Sequence, residues 1–282
     1  MDTRLYYDTT RRDRPLATAL WWPDPRVWPA PHPLILLSHG TGGDRFGQAW
    51  LATALCAAGY AVAAPDHDGN STTTARPAGF VRYWDRPLDL SVLLDHLLAE
   101  FGPRLDAQRI GAAGFSFGGY TVLALAGAAA DWGQLLAAAR TPVGAREFTI
   151  PELGDLRPLL TEIDPATIPA DLQDPRIKAV AALAPAMGLA FTAPRQLAAV
   201  TVPTLIIGAT HDAVAPVATN ARHYHALLPR ATYVELAAGH YTFLPVRSGP
   251  VPYFVDPAGV SREAVHQAVA VRVVAFFDQS LR

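Results

Sequence analysis

The chain has 282 residues, half of them hydrophobic, and carries a formal net charge of −2 at pH 7. This length and hydrophobic content fit a single α/β domain with one large core. The slightly negative charge argues against a nucleic-acid partner, and the single cysteine, Cys56, excludes an intramolecular disulfide.

Short segments rich in β-forming residues alternate with longer helical segments, which is the pattern of a mostly parallel sheet covered by helices. Cys56 falls in one of the apolar helical segments, so we expect a buried, unreactive thiol. The predicted elements up to residue 130 are, in order, strands at 16–23 and 33–40, a helix at 46–59, a strand at 61–67, a helix at 88–102, a strand at 109–116 and a helix at 117–130.

The alternation stops over residues 131–174, a Pro-rich and partly helical passage that predicts an insertion. Two roles are open for it: a lid over the functional site, or a contact between subunits. The alternation then resumes, and we expect one domain over residues 1–282. The remaining predicted elements are strands at 177–185 and 203–209, a helix at 218–228, a strand at 231–238 and a closing helix at 261–279.

The N-terminal segment contains charged residues throughout and lacks the apolar centre of a signal peptide. No uninterrupted apolar stretch reaches the length that spans a membrane. We therefore expect a cytoplasmic protein without a membrane span. Export is the alternative if a leader has been removed. The sequence leaves the oligomeric state open.

A serine lies among glycines at the junction of a predicted strand and a predicted helix. Gly114, Ser116 and Gly118 match the G-x-S-x-G nucleophile elbow, in which the serine lies at the apex of a strained strand-to-helix turn. The flanking glycines allow neighbouring chains to pass close to that turn. The alternative is that Ser116 only caps the following helix.

An acid and a histidine follow this serine along the chain, in the order serine, acid, histidine that accompanies this elbow. Asp212 comes just after one predicted strand and His240 just after the next. Because catalytic groups in α/β sheets gather at the carboxyl ends of strands, we expect both near Ser116. The alternatives are a helix cap for Asp212 and an ordinary loop histidine for His240; His211 adjoins the acid and is poorly placed to bridge it to the serine.

A serine nucleophile also needs N–H groups that bind the oxyanion formed during attack on a carbonyl. The residue after the nucleophile, Phe117, supplies one such group in this elbow. We expect the second from Thr41, in the Gly-rich segment 38–43. The alternative for this segment is an ordinary Gly-rich turn.

Five segments carry a resemblance to a known family: LILLSHGTGG, AAPDHDGN, GFSFGGY, GATHDAVAP and AGHYTF, spread over residues 34–243. They resemble the α/β-hydrolase superfamily, and within it the dienelactone-hydrolase-like proteins related to platelet-activating factor acetylhydrolases. The resemblance implies a mostly parallel sheet between helices and cofactor-free hydrolysis of carboxylic esters. It also implies the same roles for Ser116, Asp212, His240, Thr41 and Phe117.

Four further residues are predicted to contact the substrate. His67 and Asp68 lie in PDHDGN at the end of a predicted strand, where loop-shaping hydrogen bonds are favoured over a metal site; we expect no metal. Tyr83 and Trp84 follow on the next loop, where they would either wall an apolar pocket or pack at the surface.

These observations predict a serine hydrolase acting on a small-molecule ester, with no cofactor. Two other functions stay open. The same triad chemistry cleaves amides or transfers acyl groups to other acceptors, and a hydrolase fold also serves to bind small ligands without catalysis.

Overall fold

A computed structural model describes residues 1–151, 153–246 and 254–281. Ten strands are present in these ranges. They are β1 (Asp2–Asp8), β2 (Arg14–Trp21), β3 (His32–Ser38), β4 (Ala61–Pro65), β5 (Leu105–Phe115), β6 (Thr149–Ile150), β7 (Gly154–Asp155), β8 (Ile177–Leu183), β9 (Thr204–Ala209) and β10 (Thr232–Leu236).

Eight strands form one sheet in the order β1-β2-β4-β3-β5-β8-β9-β10. The five pairings from β4 across to β10 are parallel, whereas β1 pairs antiparallel with β2 and β2 antiparallel with β4. Parallel order places the carboxyl ends of β3, β5, β9 and β10 at one edge.

Helices cover both faces of this sheet. Along β3, Leu34 and Leu36 pack into the core on one face, and Ile35 and Leu37 pack into the core on the other, as the two-residue period of a strand requires. The helices are α1 (Ala49–Ala57), α2 (Asp85–Phe101), α3 (Phe117–Leu125), α4 (Trp132–Ala139), α5 (Pro142–Glu147), α6 (Arg157–Leu160), α7 (Ala221–Leu227) and α8 (Arg262–Leu281).

The passage 131–174 contains α4, α5, the two-stranded β6–β7 pair and α6. It adds no strand to the main sheet. A small apolar cluster around Leu156 and Leu160 packs it onto Val81, in the loop before α2.

Strand β1 is the one element of the main sheet that the sequence did not predict. It lies at the sheet edge, and its first four residues are exposed, with Leu5 53% exposed, whereas Tyr6 packs partly against the core. An edge strand that buries so few apolar residues lacks the alternating apolar pattern on which such predictions depend.

Cys56 is partly buried on α1 rather than fully enclosed, and burial raises the pKa of its thiol. Within the described residues, none of the helices combines the length and the apolar content that crossing a bilayer demands.

Candidate active site

Ser116 occupies a sharp turn between β5 and α3. Its φ of 56° and ψ of −118° lie in a region that side-chain-bearing residues rarely adopt. Strain of this kind persists only where the surrounding structure enforces it, and it concentrates at functional sites. Ser116 also has the backbone geometry expected at the apex of a nucleophile elbow.

The glycines around Ser116 are required by close approach of backbone segments. A Cβ atom at Gly118 would lie 1.9 Å from the Ser38 carbonyl oxygen, and one at Gly114 would lie 2.1 Å from the Gly118 carbonyl oxygen. Any side chain at either position would therefore push α3 away from β3 or from the end of β5.

Three side chains from distant parts of the sequence form one hydrogen-bonded chain. The His240 Nε2 atom lies 2.9 Å from Ser116 Oγ, and His240 Nδ1 lies 2.6 Å from Asp212 Oδ2. All three residues are buried, with exposed fractions of 5–8%. With the proton on Nδ1, His240 donates to Asp212, and its Nε2 is free to accept the Ser116 hydroxyl proton.

The loop after β9 fixes the Asp212 carboxylate. Its Oδ1 atom accepts hydrogen bonds from the Val214 and Ala215 N–H groups, at 2.9 and 2.6 Å. No helix begins at Ala215, since α7 starts at Ala221, so these two bonds hold the loop rather than cap a helix, and they leave Oδ2 for His240. Bonding to both oxygens holds the carboxylate plane in one orientation.

Segment 38–43 forms a tight turn beside the elbow. The Gly43 N–H donates to the Gly40 carbonyl oxygen at 3.1 Å, and Gly42 has a φ of +65°, as the third residue of a type II turn requires. Thr41 lies between them and lines both cavities described below. Phe117, the first residue of α3, has a backbone N–H without an acceptor inside the helix.

The loop that follows β4 supports this turn. Asn70 Oδ1 accepts a hydrogen bond from the Gly42 N–H at 2.8 Å, and Thr72 Oγ1 donates to the Gly42 carbonyl oxygen at 3.0 Å. Asp66 accepts from the Arg45 N–H at 2.7 Å. The segment PDHDGN and the residues after it thus shape the Thr41 loop by hydrogen bonding.

Two cavities meet at Ser116. The apolar pocket, of about 80 Å³, is lined by Ser116 and Phe117 and by side chains of the 131–174 passage. The wide cleft, of about 490 Å³, is lined by Ser116 and by His240 with the residues around it. Further lining residues of the apolar pocket are Phe80, Leu135, Phe148, Ile150, Leu156, Met187 and Leu189.

Glu147, at the end of α5, is a charged residue in the wall of the apolar pocket that the sequence did not single out. Its carboxylate accepts hydrogen bonds from Thr219 Oγ1 and from Asn220 Nδ2, the latter at 2.9 Å. Burial raises the pKa of Glu147 despite these two bonds, and the nearby Asp212 charge adds to the increase. The sequence around α5 did not indicate that Glu147 lies in a pocket wall, because its partners Thr219 and Asn220 are more than 70 residues away along the chain.

The four predicted substrate contacts lie elsewhere. His67 is fully buried, with Ser38 Oγ 2.9 Å from its Nε2 atom and Asp89 Oδ2 2.9 Å from its Nδ1 atom. Asp68 pairs with Arg76 and lies 3.6 Å from Arg14. The prediction that these two residues bind substrate is corrected, because neither lines the apolar pocket or the wide cleft at Ser116.

The prediction that Tyr83 and Trp84 contact the substrate is also corrected. Each is 2% exposed, and their rings pack edge to face at 5.1 Å and extend to Tyr120 and Trp132. They anchor the start of α2 against α3 and α4. Neither lines the apolar pocket or the wide cleft.

Comparison with known proteins agrees with this architecture. A family model described as PET hydrolase-like matches residues 166–251, a range that includes Asp212 and His240 but not Ser116. No curated protein sequence matches the chain. A solved ferulic acid esterase from Streptomyces cinnamoneus aligns with a TM-score of 0.62 over 99% of this chain and 89% of that chain, at 22% sequence identity.

The sheet order and the structural match confirm the predicted fold class: the chain has the α/β-hydrolase fold. The resemblance that the sequence motifs indicated agrees with this fold and with the family model over residues 166–251.

Proposed function

We propose that this protein is a serine hydrolase that cleaves carboxylic esters through an acyl-enzyme intermediate. The observation that carries the proposal is the hydrogen-bonded chain from Ser116 through His240 to Asp212, at a strained turn that opens into two cavities. Such a chain converts a weakly nucleophilic hydroxyl into an effective nucleophile.

In the proposed reaction, Ser116 Oγ attacks the ester carbonyl carbon while His240 Nε2 accepts the hydroxyl proton. The Thr41 and Phe117 N–H groups bind the resulting oxyanion. His240 then donates its proton to the departing alcohol oxygen, which leaves the acyl group on Ser116. A water molecule, deprotonated by His240, attacks this acyl-enzyme and releases the carboxylic acid.

The two cavities suggest where each half of the ester binds. The departing oxygen must lie next to His240, which lines the wide cleft and not the apolar pocket, so the alcohol occupies the cleft. The acyl group then occupies the apolar pocket. An apolar cavity of about 150 Å³ holds one benzene molecule, so a pocket of about 80 Å³ favours short acyl chains.

Ester substrates are favoured over amides by the comparisons. One similar structure is called a ferulic acid esterase, and the matching family model is described as PET hydrolase-like. The passage 131–174 is proposed as a lid, because Leu135, Glu147 and Phe148 from it wall the apolar pocket.

A fluorophosphonate probe and a pair of matched substrates test the proposal. We expect the probe to label Ser116, and Ser116→Ala to remove both labelling and ester hydrolysis, with a loss of turnover of roughly 10⁶-fold. Turnover of a p-nitrophenyl ester should exceed that of the matched anilide. A folded wild-type protein that neither reacts with the probe nor hydrolyses the esters would identify a ligand-binding protein instead.

A further inference from the structure

A buried arginine lies directly behind the two elements that would bind the oxyanion. Arg86, in the first turn of α2, is 1% exposed. Its Nη2 atom donates to the His39 carbonyl oxygen, immediately before the turn that contains Thr41. Its guanidinium carbon lies 4.7 Å from the centre of the Phe117 ring. One side chain therefore touches both halves of the proposed oxyanion hole.

We infer that Arg86 is a positioning residue that fixes the Thr41 and Phe117 N–H groups relative to each other. This inference rests on the proposed function. The contact with the His39 carbonyl holds the peptide that leads into the turn, and the cation–π contact holds the first residue of α3. Because N–H groups stabilise an oxyanion only when they are aimed at its position, small shifts of either element reduce the rate.

A second buried chain of polar groups holds Arg86 in place. Arg86 Nη2 also lies 3.3 Å from Ser38 Oγ, which lies 2.9 Å from His67 Nε2, and His67 Nδ1 lies 2.9 Å from Asp89 Oδ2. Ser38, His67 and Asp89 are each 0% exposed, so they reach no substrate despite their Ser-His-Asp identity.

One assignment of protons satisfies this whole chain. Arg86 donates to Ser38 Oγ, Ser38 donates to His67 Nε2, and the Nδ1–H of His67 donates to Asp89. Burial, with the positive charges of nearby arginines, keeps the pKa of His67 well below its ordinary value, so the ring is neutral as this assignment requires.

The cost of burying Arg86 indicates a role beyond packing. Among the residues that the structure describes, its Nε and Nη1 atoms have no hydrogen-bond partner. Burial lowers the pKa of Arg86 to about 9, which still leaves the guanidinium charged at neutral pH. Burying a cation with two donor atoms that lack a partner destabilises the folded protein, and an apolar side chain of similar size would not have this effect.

The test compares Arg86→Met and Arg86→Lys with the wild type, by kcat and KM for p-nitrophenyl acetate and by inhibition with a boronic acid that forms a tetrahedral adduct with serine. For Arg86→Met we expect kcat to fall by roughly 10²-fold, about the effect of one lost oxyanion donor. Boronic-acid affinity should fall in parallel, while KM changes less than about threefold, since ground-state binding does not use the oxyanion hole.

Arg86→Lys should restore part of the loss, because an ammonium group can still donate to the His39 carbonyl but lacks the planar face that stacks on Phe117. We expect its kcat to be roughly tenfold below the wild type. This variant also keeps the test decisive if Arg86→Met does not fold.

The matched control is Arg176→Met, which removes another arginine that bonds to carboxylates and to a backbone carbonyl, that of Ser91, far from the elbow. Its kcat should equal that of the wild type. Folded Arg86 variants with wild-type kcat and boronic-acid affinity would overturn the inference alone. Absence of wild-type esterase activity would instead overturn the proposed function.

Discussion

His240 Nε2 lies 2.9 Å from Ser116 Oγ although 124 positions separate the two residues along the chain. The contact exists because β5 and β10 end at the same edge of the sheet, with β8 and β9 between them. On the other side of the imidazole, Asp212 Oδ2 accepts a hydrogen bond from the Nδ1–H group of His240. The predictions below follow from this chain and from the cavities around it.

Replacing the acid tests the orientation of the imidazole. We expect Asp212→Asn to lower kcat by about 10⁴-fold, because an amide no longer selects the tautomer that leaves Nε2 free to accept a proton. Steady-state kinetics on p-nitrophenyl acetate measure this loss. Asp106→Asn, which breaks an ion pair with Arg109 near the opposite end of β5, is the control and should keep wild-type kcat. An Asp212→Asn enzyme within tenfold of the wild type would contradict the proposed role.

Adding one methyl group at the elbow should disrupt it. Gly118→Ala places a Cβ 1.9 Å from the Ser38 carbonyl oxygen, so α3 or β3 must move. We expect a loss of about 1–3 kcal/mol in the free energy of unfolding and a fall in activity. Gly102→Ala is the control, because a Cβ there meets no atom within 4 Å, and we expect its stability to stay within about 0.5 kcal/mol of the wild type. Denaturant unfolding of both variants provides the comparison, and equal stability would argue against a rigid contact.

Enlarging the apolar pocket should change the preferred acyl chain. Leu189 lines this pocket and is only partly buried, so Leu189→Ala creates space at modest cost to folding. We expect the optimum to move from acetyl and butyryl esters towards hexanoyl esters. An acyl series of p-nitrophenyl esters measures the shift in kcat/KM. Leu153→Ala enlarges the wide cleft instead and should leave the acyl preference unchanged; a shift in this control alone would reverse the assignment of the two cavities.

Because of Glu147, the free energy of unfolding should fall as pH rises above the ordinary pKa of a glutamate. Because its folded-state pKa is raised, the native protein binds more protons at this site than the unfolded chain, and stability is lost as pH increases through the folded-state pKa. Glu147→Gln removes that dependence. We therefore expect this variant to gain stability relative to the wild type as pH increases from acid to neutral, as measured by urea unfolding.

Glu100→Gln is the contrasting control for this pH series. The hydrogen bond from Tyr6, with smaller contributions from the Arg4 contacts, lowers the pKa of Glu100, so its stabilising contribution is present above the ordinary glutamate pKa. Glu100→Gln should therefore lose stability relative to the wild type over the same increase in pH. A similar trend in both variants would show that the Glu147 environment does not favour the protonated form.

The sequence alone determined most backbone features of the main sheet, with strand β1 the exception. The alternation of strands and helices predicted the sheet, and the glycines beside Ser116 predicted the elbow, because these depend on neighbouring residues and on the conformations open to them. The order of Ser116, Asp212 and His240 placed all three after strands, and parallel strands share an edge.

Only the tertiary structure decided which side chains face the cavities. His67 and Tyr83 have residue types common in binding sites, yet α2 and its neighbours enclose them, and no local pattern records how helices pack across a sheet. Glu147 is held at the pocket by partners that are distant in sequence, and Arg86 contacts the His39 carbonyl oxygen, next to the Thr41 turn, across 47 positions. Such contacts arise from the combined packing of many elements, so a reading of neighbouring residues does not contain them.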